Sequence, residues 1–339
     1  MSSNTLLSIV IPLYNSEKYI EKVVNNLLLV DQKNLLEIVL VDDGSKDQTS
    51  IICSELVKKC SLVKYYYKEN GGIDTARNFG IEMSAGKYIM FHDHDDFADV
   101  KTLNYFIEKL SANDEYDIFI FNSSRIEGNK RYHALKLNDG YISRHNCVAN
   151  NYDLINKVCH HKENHKIANR LGYVWSMIIK RDFIVCNNIC FKKRVNYEDD
   201  LTFCIKLFSN KPKTYLCNKN IYNWMMYHSS TSHSSKYDPL YFNKVNLLEE
   251  DLKHVLINEQ NKNELVSDVL WGFYYNFLIF YCQKNTQASY FQFVNIFSCQ
   301  HLRDKLLSFK KREFDKKQKL AIILIYLKLY RVLFYIFIK

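Results

Sequence analysis

The chain has 339 residues, 47% of them hydrophobic and 24% charged, so it can bury a core and is not intrinsically disordered. Its formal net charge of +9 is compatible with nucleic acid, an anionic membrane surface or a phosphorylated substrate as a partner.

The start of the chain is polar and lacks the basic and apolar regions of a signal peptide. No apolar run in the first 300 residues is long enough to span a bilayer. The ten cysteines are scattered and form no CxxC pair, which argues against a disulfide framework or a zinc site. We therefore expect a cytoplasmic protein with reduced thiols.

The first third of the chain alternates between patterns typical of buried strands and of amphipathic helices. Continuous apolar runs predict strands at residues 7–13, 37–41, 63–67, 88–91 and 117–121. Helices are predicted between these strands, and the one after the second strand carries the apolar residues Ile51, Ile52 and Leu56. This alternation predicts an α/β fold whose mostly parallel sheet is flanked by helices.

Polar residues directly follow the first, second and fourth predicted strands. Ligands of parallel sheets bind outside the carboxyl ends of the strands. We therefore expect one crevice to collect Asn15, Asp42, Asp43, Asp93 and Asp95.

The pattern changes twice further along the chain. Residues 122–170 are polar and irregular, and ordered patterns resume at residues 173–180. Long helical patterns at 247–256 and 265–280 then replace the strand-helix alternation. A domain boundary is therefore predicted near residue 235, followed by a helical C-terminal region.

Residues 91–97 read Phe-His-Asp-His-Asp-Asp-Phe and place Asp93, Asp95 and Asp96 close together at the end of a strand. Crowded negative charge is costly without a cation, and carboxylate oxygens suit magnesium or manganese. A solvated acidic loop is the alternative, but the cluster directly follows a buried strand. A metal here would neutralise a departing diphosphate.

Two turns allow both a structural and a functional interpretation. Residues 42–45, Asp-Asp-Gly-Ser, suit any strand-to-helix turn, yet a carboxylate here could also accept hydrogen bonds from a base or ribose. Residues 70–78, Asn-Gly-Gly-Ile-Asp-Thr-Ala-Arg-Asn, could be an ordinary helix start. Alternatively, the helix N-terminus and Arg77 could hold a diphosphate.

Two later segments are also open. Glu198, Asp199 and Asp200 could be acids favoured at a helix N-terminus, or a carboxylate here could be a general base. His228 and His233 follow an aromatic stretch, and single histidines are most often structural. We take His228 as a candidate for a further metal ligand.

Together these motifs resemble family 2 glycosyltransferases of the GT-A fold, a Rossmann-like architecture. The residues that carry the resemblance are Ser-Ile-Val-Ile-Pro-Leu-Tyr-Asn at 8–15, Val-Asp-Asp-Gly-Ser-Lys-Asp at 41–47, Asn-Gly-Gly at 70–72 with Ala-Arg-Asn-Phe-Gly at 76–80, and Asp-His-Asp-Asp at 93–96. The resemblance is specific over residues 7–100 and continues more loosely to residue 232.

The resemblance implies an inverting transfer of a hexosyl or N-acetylhexosaminyl group from a nucleotide-sugar, usually a UDP-sugar, to an acceptor hydroxyl, with Mn²⁺ or Mg²⁺ as cofactor. By motif, Pro12, Tyr14, Asp42 and Asp43 would surround the nucleoside, and Arg77 would contact the diphosphate.

Asp93 and Asp95 would be the metal-binding carboxylates, and Asp93 would also contact the nucleotide-sugar. Asp199 would be the catalytic base, and Glu198 would orient the base or the acceptor. The catalytic domain would then cover residues 1–235, with a nucleotide-sugar half at 1–100 and an acceptor half at 101–235. Residues 236–339 would form the helical C-terminal region.

Two positions depart from the family pattern. His94 stands where relatives have a small residue, and Asp74 stands where they often have a small hydroxyl residue. Neither departure removes a carboxylate that the chemistry needs.

The C-terminal tail combines positive charge with apolar residues. Residues 310–319 are rich in Lys and Arg, and residues 320–338 are nearly all apolar apart from Lys328 and Arg331. Two charges argue against a membrane span, but a basic cluster beside an apolar helix suits an anionic membrane surface. The alternative is a terminal helix packed on the catalytic domain. A lipid-linked glycan acceptor, as in capsule or lipopolysaccharide assembly, would explain a peripheral position at the inner face of the plasma membrane.

Three other functions compete with glycosyl transfer. A sugar-nucleotide-binding scaffold without catalysis is disfavoured by the intact carboxylates Asp93, Asp95 and Asp199. A sugar-phosphate nucleotidyltransferase would carry a glycine-rich signature where Pro-Leu-Tyr-Asn stands at 12–15. Nucleic-acid binding is not expected, because the positive charge is not part of a recognisable motif.

Overall fold

The computed structural model describes residues 5–112, 114–128, 130–133, 147–148, 173–192, 199–226, 241–259, 262–283, 287–298, 300–308 and 316–336. The chain divides after residue 238 into two compact units. The first unit contains the described residues up to 226, and the second contains those from 241 onward.

The first unit is built on one sheet of ten strands within the described residues. The strands are β1 (Leu7–Leu13), β2 (Leu36–Asp43), β3 (Val63–Lys68), β4 (Tyr88–Phe91), β5 (Phe97–Ala98), β6 (Ile118–Glu127), β7 (Lys130–His133), β8 (Cys147–Val148), β9 (Met177–Lys180) and β10 (Thr214–Met225). Their order is β3-β2-β1-β4-β9-β6-β10-β5, with β7 beside β6 and β8 beside β10.

The sheet is mixed, with its longer strands running in one direction. β3, β2, β1 and β4 are parallel neighbours, and β10 pairs parallel with β6. β9 lies between β4 and β6 and is antiparallel to both, so β6 does not pair with β4 directly. The predicted α/β fold with a mostly parallel sheet is confirmed, and the inserted antiparallel strand is the feature that local patterns did not show.

Helices cover the sheet, as the alternation predicts. They are α1 (Ile20–Leu27), α2 (Thr49–Lys59), α3 (Ile73–Met83), α4 (Val100–Ala112), α5 (Arg181–Cys186) and α6 (Asp199–Ser209). In α2, Cys53 and Leu56 are buried, whereas Ile51 is 60% exposed. The buried face of α2 therefore includes Cys53, which packs as a small apolar residue.

Helix α3 packs directly on β1, and this contact positions the polar loops at the carboxyl ends of the strands. A Cβ atom at Gly80 would lie 2.3 Å from Cγ1 of Val10. No side chain fits at that distance, so a glycine is required at the crossing. The hydrogen-bonded β2-β1-β4 strands beneath are almost entirely buried, which fixes the sheet edge where the polar loops begin.

The second unit is helical in its described residues. Its helices are Tyr241–Val255, Lys262–Gln283, Gln287–Phe297, Gln300–Ser308, Lys316–Tyr326 and Tyr330–Ile336. Buried aromatic side chains such as Trp271, Phe293 and Phe334 form its interior. Among the described helices, none combines the length and the apolar character needed to cross a bilayer.

Candidate active site

The carboxyl ends of β1, β2 and β4 lie side by side. Leu13 of β1 pairs with Asp42 of β2, and the His92 amide after β4 donates a 2.9 Å hydrogen bond to the carbonyl of Val10. The polar segments that follow these three strands therefore start at the same edge of the sheet. This brings together the segments that the sequence predicted to share a crevice.

The loops after β1 and β2 are joined through Asn15. Its amide donates a hydrogen bond to Ser45 Oγ at 2.9 Å, and its side-chain oxygen accepts one from the Lys46 amide at 2.8 Å. Asn15 has a φ of 51°, a left-handed conformation that asparagine tolerates better than most residues. Just before it, Pro12 is buried in β1 and Tyr14 is 46% exposed, so Tyr14 presents its ring at the surface.

The carboxylate of Asp42 makes its hydrogen bonds inside the protein. It accepts hydrogen bonds from the Ser45 amide and from the Tyr65 hydroxyl, both at 2.8 Å, and the residue is fully buried. Burial and this hydrogen bond raise the pKa of Tyr65 well above its usual value. Asp42 therefore stabilises the turn at residues 42–45 through a buried hydrogen bond.

Asp43 ties the β2 turn to the glycine turn before α3. Its carboxylate accepts hydrogen bonds from the Gly71 amide at 2.9 Å and the Gly72 amide at 2.7 Å, and it pairs with Lys68 Nζ at 2.5 Å. At Gly44, with φ of +76°, an added Cβ would lie 2.9 Å from the Asn70 amide nitrogen. The two turns are thus held in close contact, and Asp43 fixes the path of the backbone into the N-terminus of α3.

Arg77, one turn into α3, lies between two carboxylates. Its guanidinium forms an ion pair with Asp200 of α6 and lies 3.5 Å from Oδ1 of Asp93. It also lies 5.3 Å from the centre of the Phe191 ring. The side chain is almost completely buried, so its position is set by the protein as well as by any ligand.

Asp200 belongs to the acidic cluster noted in the sequence, but sequence reasoning assigned it no specific role. Its Oδ2 accepts a 3.3 Å hydrogen bond from the Val174 amide, and burial raises its pKa even though Arg77 acts in the opposite direction. A signal was present in the sequence. Asp200 shares a helical face with the buried residues Cys204 and Leu207, and an acid on an apolar face indicates a buried partner.

Asp96 anchors the acidic segment to β10. It accepts hydrogen bonds from the Tyr222 hydroxyl at 2.6 Å and from the Met225 amide at 2.7 Å, and it is buried. The same Tyr222 oxygen accepts a 3.2 Å hydrogen bond from the Asp93 amide. Burial and the neighbouring Asp93 raise the pKa of Asp96 well above its usual value. Asp96 is thus structural, whereas Asp93 and Asp95 are partly exposed.

The two histidines of this segment lie in different environments. His92 is fully buried, and burial lowers its pKa to about 4, so its ring is neutral near pH 7. Its Nδ1 lies 2.8 Å from the carbonyl oxygen of Asp93, where a neutral Nδ1–H would donate. His94 is partly exposed, with its ring 6.5 Å from that of Tyr19.

An aromatic stack stands behind the acidic segment. The Trp175 ring lies 4.6 Å from the Tyr222 ring at 15°, and 5.3 Å from the Tyr173 ring at 16°. Stacked rings restrict one another's rotamers. They therefore hold the Tyr222 hydroxyl at Asp93 and Asp96.

The residues present fit a divalent cation. In the described part of the chain no three His, Cys, Asp or Glu side chains converge as a complete protein cage. Magnesium, however, commonly binds through one or two carboxylates together with substrate phosphates. The partly exposed carboxylates Asp93 and Asp95 match this mode of binding.

For three predicted site residues the side chains lie outside what the structure describes. Glu198 and His228 lie outside the described residues. Asp199 is the first residue of α6, and only its backbone is described. Its backbone places it next to Asp200, and so beside the ion pair with Arg77.

Comparison with known proteins gives consistent matches. Residues 8–178, just over half of the chain, match the family described as Glycosyl transferase family 2. The chain is 25% identical over 217 residues to the glycosyltransferase EpsJ of Bacillus subtilis, covering 64% of this chain and 60% of EpsJ. It is 28% identical over 251 residues to the minor teichoic acid biosynthesis protein GgaB of the same organism, covering 71% of this chain and 25% of GgaB.

Among solved structures, residues 1–349 of Staphylococcus aureus TarS in complex with UDP-GlcNAc are similar, with a TM-score of 0.68 and 19% identity. The similarity covers 98% of this chain and 89% of that chain, and it shows that the two share the GT-A fold. The matched stretches span less than two thirds of EpsJ and of GgaB.

Proposed function

Because the chain belongs to glycosyltransferase family 2, we propose that it transfers a sugar from a UDP-sugar to a hydroxyl group of a glycan or lipid-linked glycan. The observation that carries this proposal is the arrangement at one sheet edge. There, the turn held by Asp43 adjoins the Arg77 side chain and the partly exposed carboxylates Asp93 and Asp95. The UDP-GlcNAc complex of TarS supports UDP as the nucleotide.

In this proposal the nucleoside lies against the loops after β1 and β2. Pro12 and Tyr14 would contact it directly, since Tyr14 is exposed at the start of its loop. Asp43 would act at the nucleoside through the turn that it organises, and Asp42, which is internal, would support that turn.

Arg77 would face the diphosphate while it is held by protein carboxylates. Its position beside Asp93 places positive charge next to the segment that would receive the phosphates. Its pairing with Asp200 fixes the guanidinium before the donor arrives. A prepositioned charge of this kind stabilises a developing anion without reorganisation.

Asp93 and Asp95 would hold Mn²⁺ or Mg²⁺, and His228 stays a predicted further ligand. When bound, the cation neutralises charge on the departing nucleoside diphosphate. The Tyr222 hydroxyl and the buried Asp96 keep the backbone of this segment in place. The metal dependence therefore rests on the two partly exposed carboxylates.

Asp199 would remove the proton from the attacking acceptor hydroxyl, and Glu198 would orient Asp199 or the acceptor. The acceptor oxygen forms its bond to the anomeric carbon as the bond to the diphosphate oxygen breaks. Because attack comes from the face opposite the leaving group, the configuration inverts. Asp199 lies at the start of α6, adjacent in sequence to the residue that pairs with Arg77.

The acceptor would belong to a cell-surface polymer, a class of product that the name of GgaB, a teichoic acid biosynthesis protein, supports. The acceptor could be lipid-linked, which would place the enzyme at the inner face of the plasma membrane. Screening nucleotide sugars for hydrolysis, with thermal shifts as a cross-check, would identify the donor.

The variant Asp199→Asn tests the assignment of the base. It removes the proton acceptor while keeping size and shape, so transfer is expected to fall by roughly 10²–10⁴-fold. UDP binding, measured by calorimetry, should be unchanged because the base does not contact the nucleotide. Transfer at the wild-type rate in this variant would contradict the assignment.

A further inference from the structure

The last two helices of the described chain, Lys316–Tyr326 and Tyr330–Ile336, form what we call the terminal helix pair. The turn between them is closed by hydrogen bonds from the Leu329 amide to the Leu324 carbonyl at 2.9 Å and from the Lys328 amide to the Ile325 carbonyl at 3.1 Å. Lys328 has a φ of 55° at the position where such helix ends usually carry glycine. The turn therefore displays a lysine between the two helices.

The inner face of the terminal helix pair is packed. Leu333 and Phe334 are buried, and the Phe334 ring lies 5.2 Å from that of Tyr290 and 5.4 Å from that of Phe293. The last helix is therefore packed on this face against the helix Gln287–Phe297 of the same unit.

The outer face is also apolar, although it is exposed. In the first helix Leu320, Ile323 and Leu327 recur at helical spacing, and Ile323 is 52% exposed. In the second helix Val332 and Tyr335 are exposed in the same way. A surface helix with a packed inner face normally carries polar residues outside, so exposed apolar residues at helical spacing mark an interaction surface.

The charges of the terminal helix pair itself all have one sign. Lys316, Lys317 and Lys319 are exposed at the start of the first helix, Lys328 lies in the turn and Arg331 begins the second helix. Residues 316–339 contain no Asp or Glu. An anionic surface complements this charge, whereas a second copy of the same face would repel it.

The length of the helices indicates how they would bind an anionic membrane surface, by spanning it or by lying in its interface. They have 11 and 7 residues, whereas a membrane-spanning helix needs about 20. Short helices with apolar and basic side chains lie in the plane of the interface, with their apolar residues at the headgroup boundary.

We propose that the outer face of the terminal helix pair docks on an anionic phospholipid surface. Leu320, Ile323 and Leu327 enter the headgroup boundary, and the neighbouring lysines contact lipid phosphates. This inference goes beyond the proposed glycosyl transfer, and its test does not depend on that reaction.

Flotation of the full chain with phosphatidylcholine vesicles, with and without phosphatidylglycerol, tests the proposal. We expect binding that requires phosphatidylglycerol and weakens at high salt. Ile323→Ser combined with Leu327→Ser should lower the partition coefficient by roughly tenfold or more, because two apolar side chains no longer enter the interface. Lys316→Gln combined with Lys317→Gln should reduce the preference for phosphatidylglycerol.

The matched control replaces two equally exposed apolar residues of the first unit, Leu29→Ser with Ile51→Ser, and should bind like the unmodified chain. Unfolding midpoints of both double variants check that each is folded. The proposal is overturned if the unmodified chain does not float with phosphatidylglycerol, or if the control loses as much binding as Ile323→Ser with Leu327→Ser. A concentration-dependent dimer that the latter variant dissolves, without vesicle binding, would identify the face as a contact between copies and overturn it as well.

Discussion

The guanidinium of Arg77 joins two carboxylates that lie far apart in the sequence. Asp93 follows β4 and Asp200 is the second residue of α6, and both lie against the same almost completely buried arginine. A buried charge is tolerated only when it is paired, so each carboxylate stabilises the position of the other through Arg77. At the scale of single residues, the charge balance of the site therefore depends on three side chains.

Asp200→Asn is expected to destabilise the protein and to slow transfer. It keeps an acceptor for the Val174 amide but removes the charge opposite Arg77, so the free energy of unfolding should fall by about 2–4 kcal/mol. Urea denaturation and a transfer assay measure the two effects.

The control for this variant is Asp114→Asn. Asp114 also pairs with two cations, Lys87 and Lys180, but it is 60% exposed. Exposed pairs contribute about 0–1 kcal/mol, so its loss should change stability little. Equal losses in the free energy of unfolding would show that burial does not strengthen the Arg77–Asp200 pair.

Chelation tests the roles of Asp93 and Asp95. EDTA should abolish sugar transfer, and Mn²⁺ or Mg²⁺ should restore it, because the leaving diphosphate then regains its counter-charge. Double replacement Asp93→Asn with Asp95→Asn should remove the response of UDP affinity to Mn²⁺ in calorimetry. Unchanged turnover in EDTA would exclude a metal role.

At the scale of elements, the turns after β2 and before α3 act as one unit. Asp43 bonds to both amides of the glycine pair, and Gly44 lies against Asn70. Neither turn can move without breaking these contacts, so the path of the chain into α3 is fixed by a residue at the end of another strand.

Gly44→Ala should disturb this pair of turns, and Gly128→Ala provides the matched comparison. Both glycines have positive φ, but an added Cβ would meet Asn70 at Gly44 and nothing within 4 Å at Gly128. Left-handed strain alone costs about 1–2 kcal/mol and should appear in both variants. Only Gly44→Ala should also weaken UDP binding, measured by calorimetry. Equal UDP affinity in the two variants would mean that the turn contact does not shape the donor site.

Local elements of this fold could be read from the sequence because their causes are local. β1 and β4 have the predicted bounds, since each is a continuous apolar run that ends at polar residues. β9 was foreseen as ordered but not as the strand between β4 and β6, because antiparallel insertion depends on partners distant in the chain.

The candidate site also combines local motifs, which the sequence predicts, with contacts between distant residues, which it does not. The acidic segment and the glycine turn are continuous in sequence and were predicted as motifs. The pairs Arg77–Asp200 and Asp96–Tyr222 join residues 123 and 126 positions apart, and a single sequence carries no register for such contacts. Only the acid on the apolar face of α6 gave a local indication of one of them.

At the scale of the whole molecule, the first unit depends on its last strand. β10 pairs with β6 along most of its length and supplies both Tyr222 and Met225 to the acidic segment. The chain of residues 1–238 retains this strand, whereas the chain of residues 1–213 lacks it.

We expect residues 1–238 to unfold cooperatively and to bind UDP, and residues 1–213 to do neither. The shorter chain exposes the apolar edge of β6 and leaves Asp96 buried without its partners. Circular dichroism during heating and calorimetry with UDP compare the two. Cooperative unfolding of the shorter chain would show that β10 is dispensable.

The hydrogen bond between Tyr222 and Asp96 also has a consequence for the time order of synthesis. When residues 1–100 have left the ribosome, every short motif proposed to bind the donor has emerged, but not the hydroxyl that bonds to the acidic segment. That segment becomes complete only after β10 has emerged and paired with β6, a slow non-local event. Donor binding would therefore appear late on the ribosome, together with the finished sheet, and a nascent chain would not sequester nucleotide sugars before it can use them.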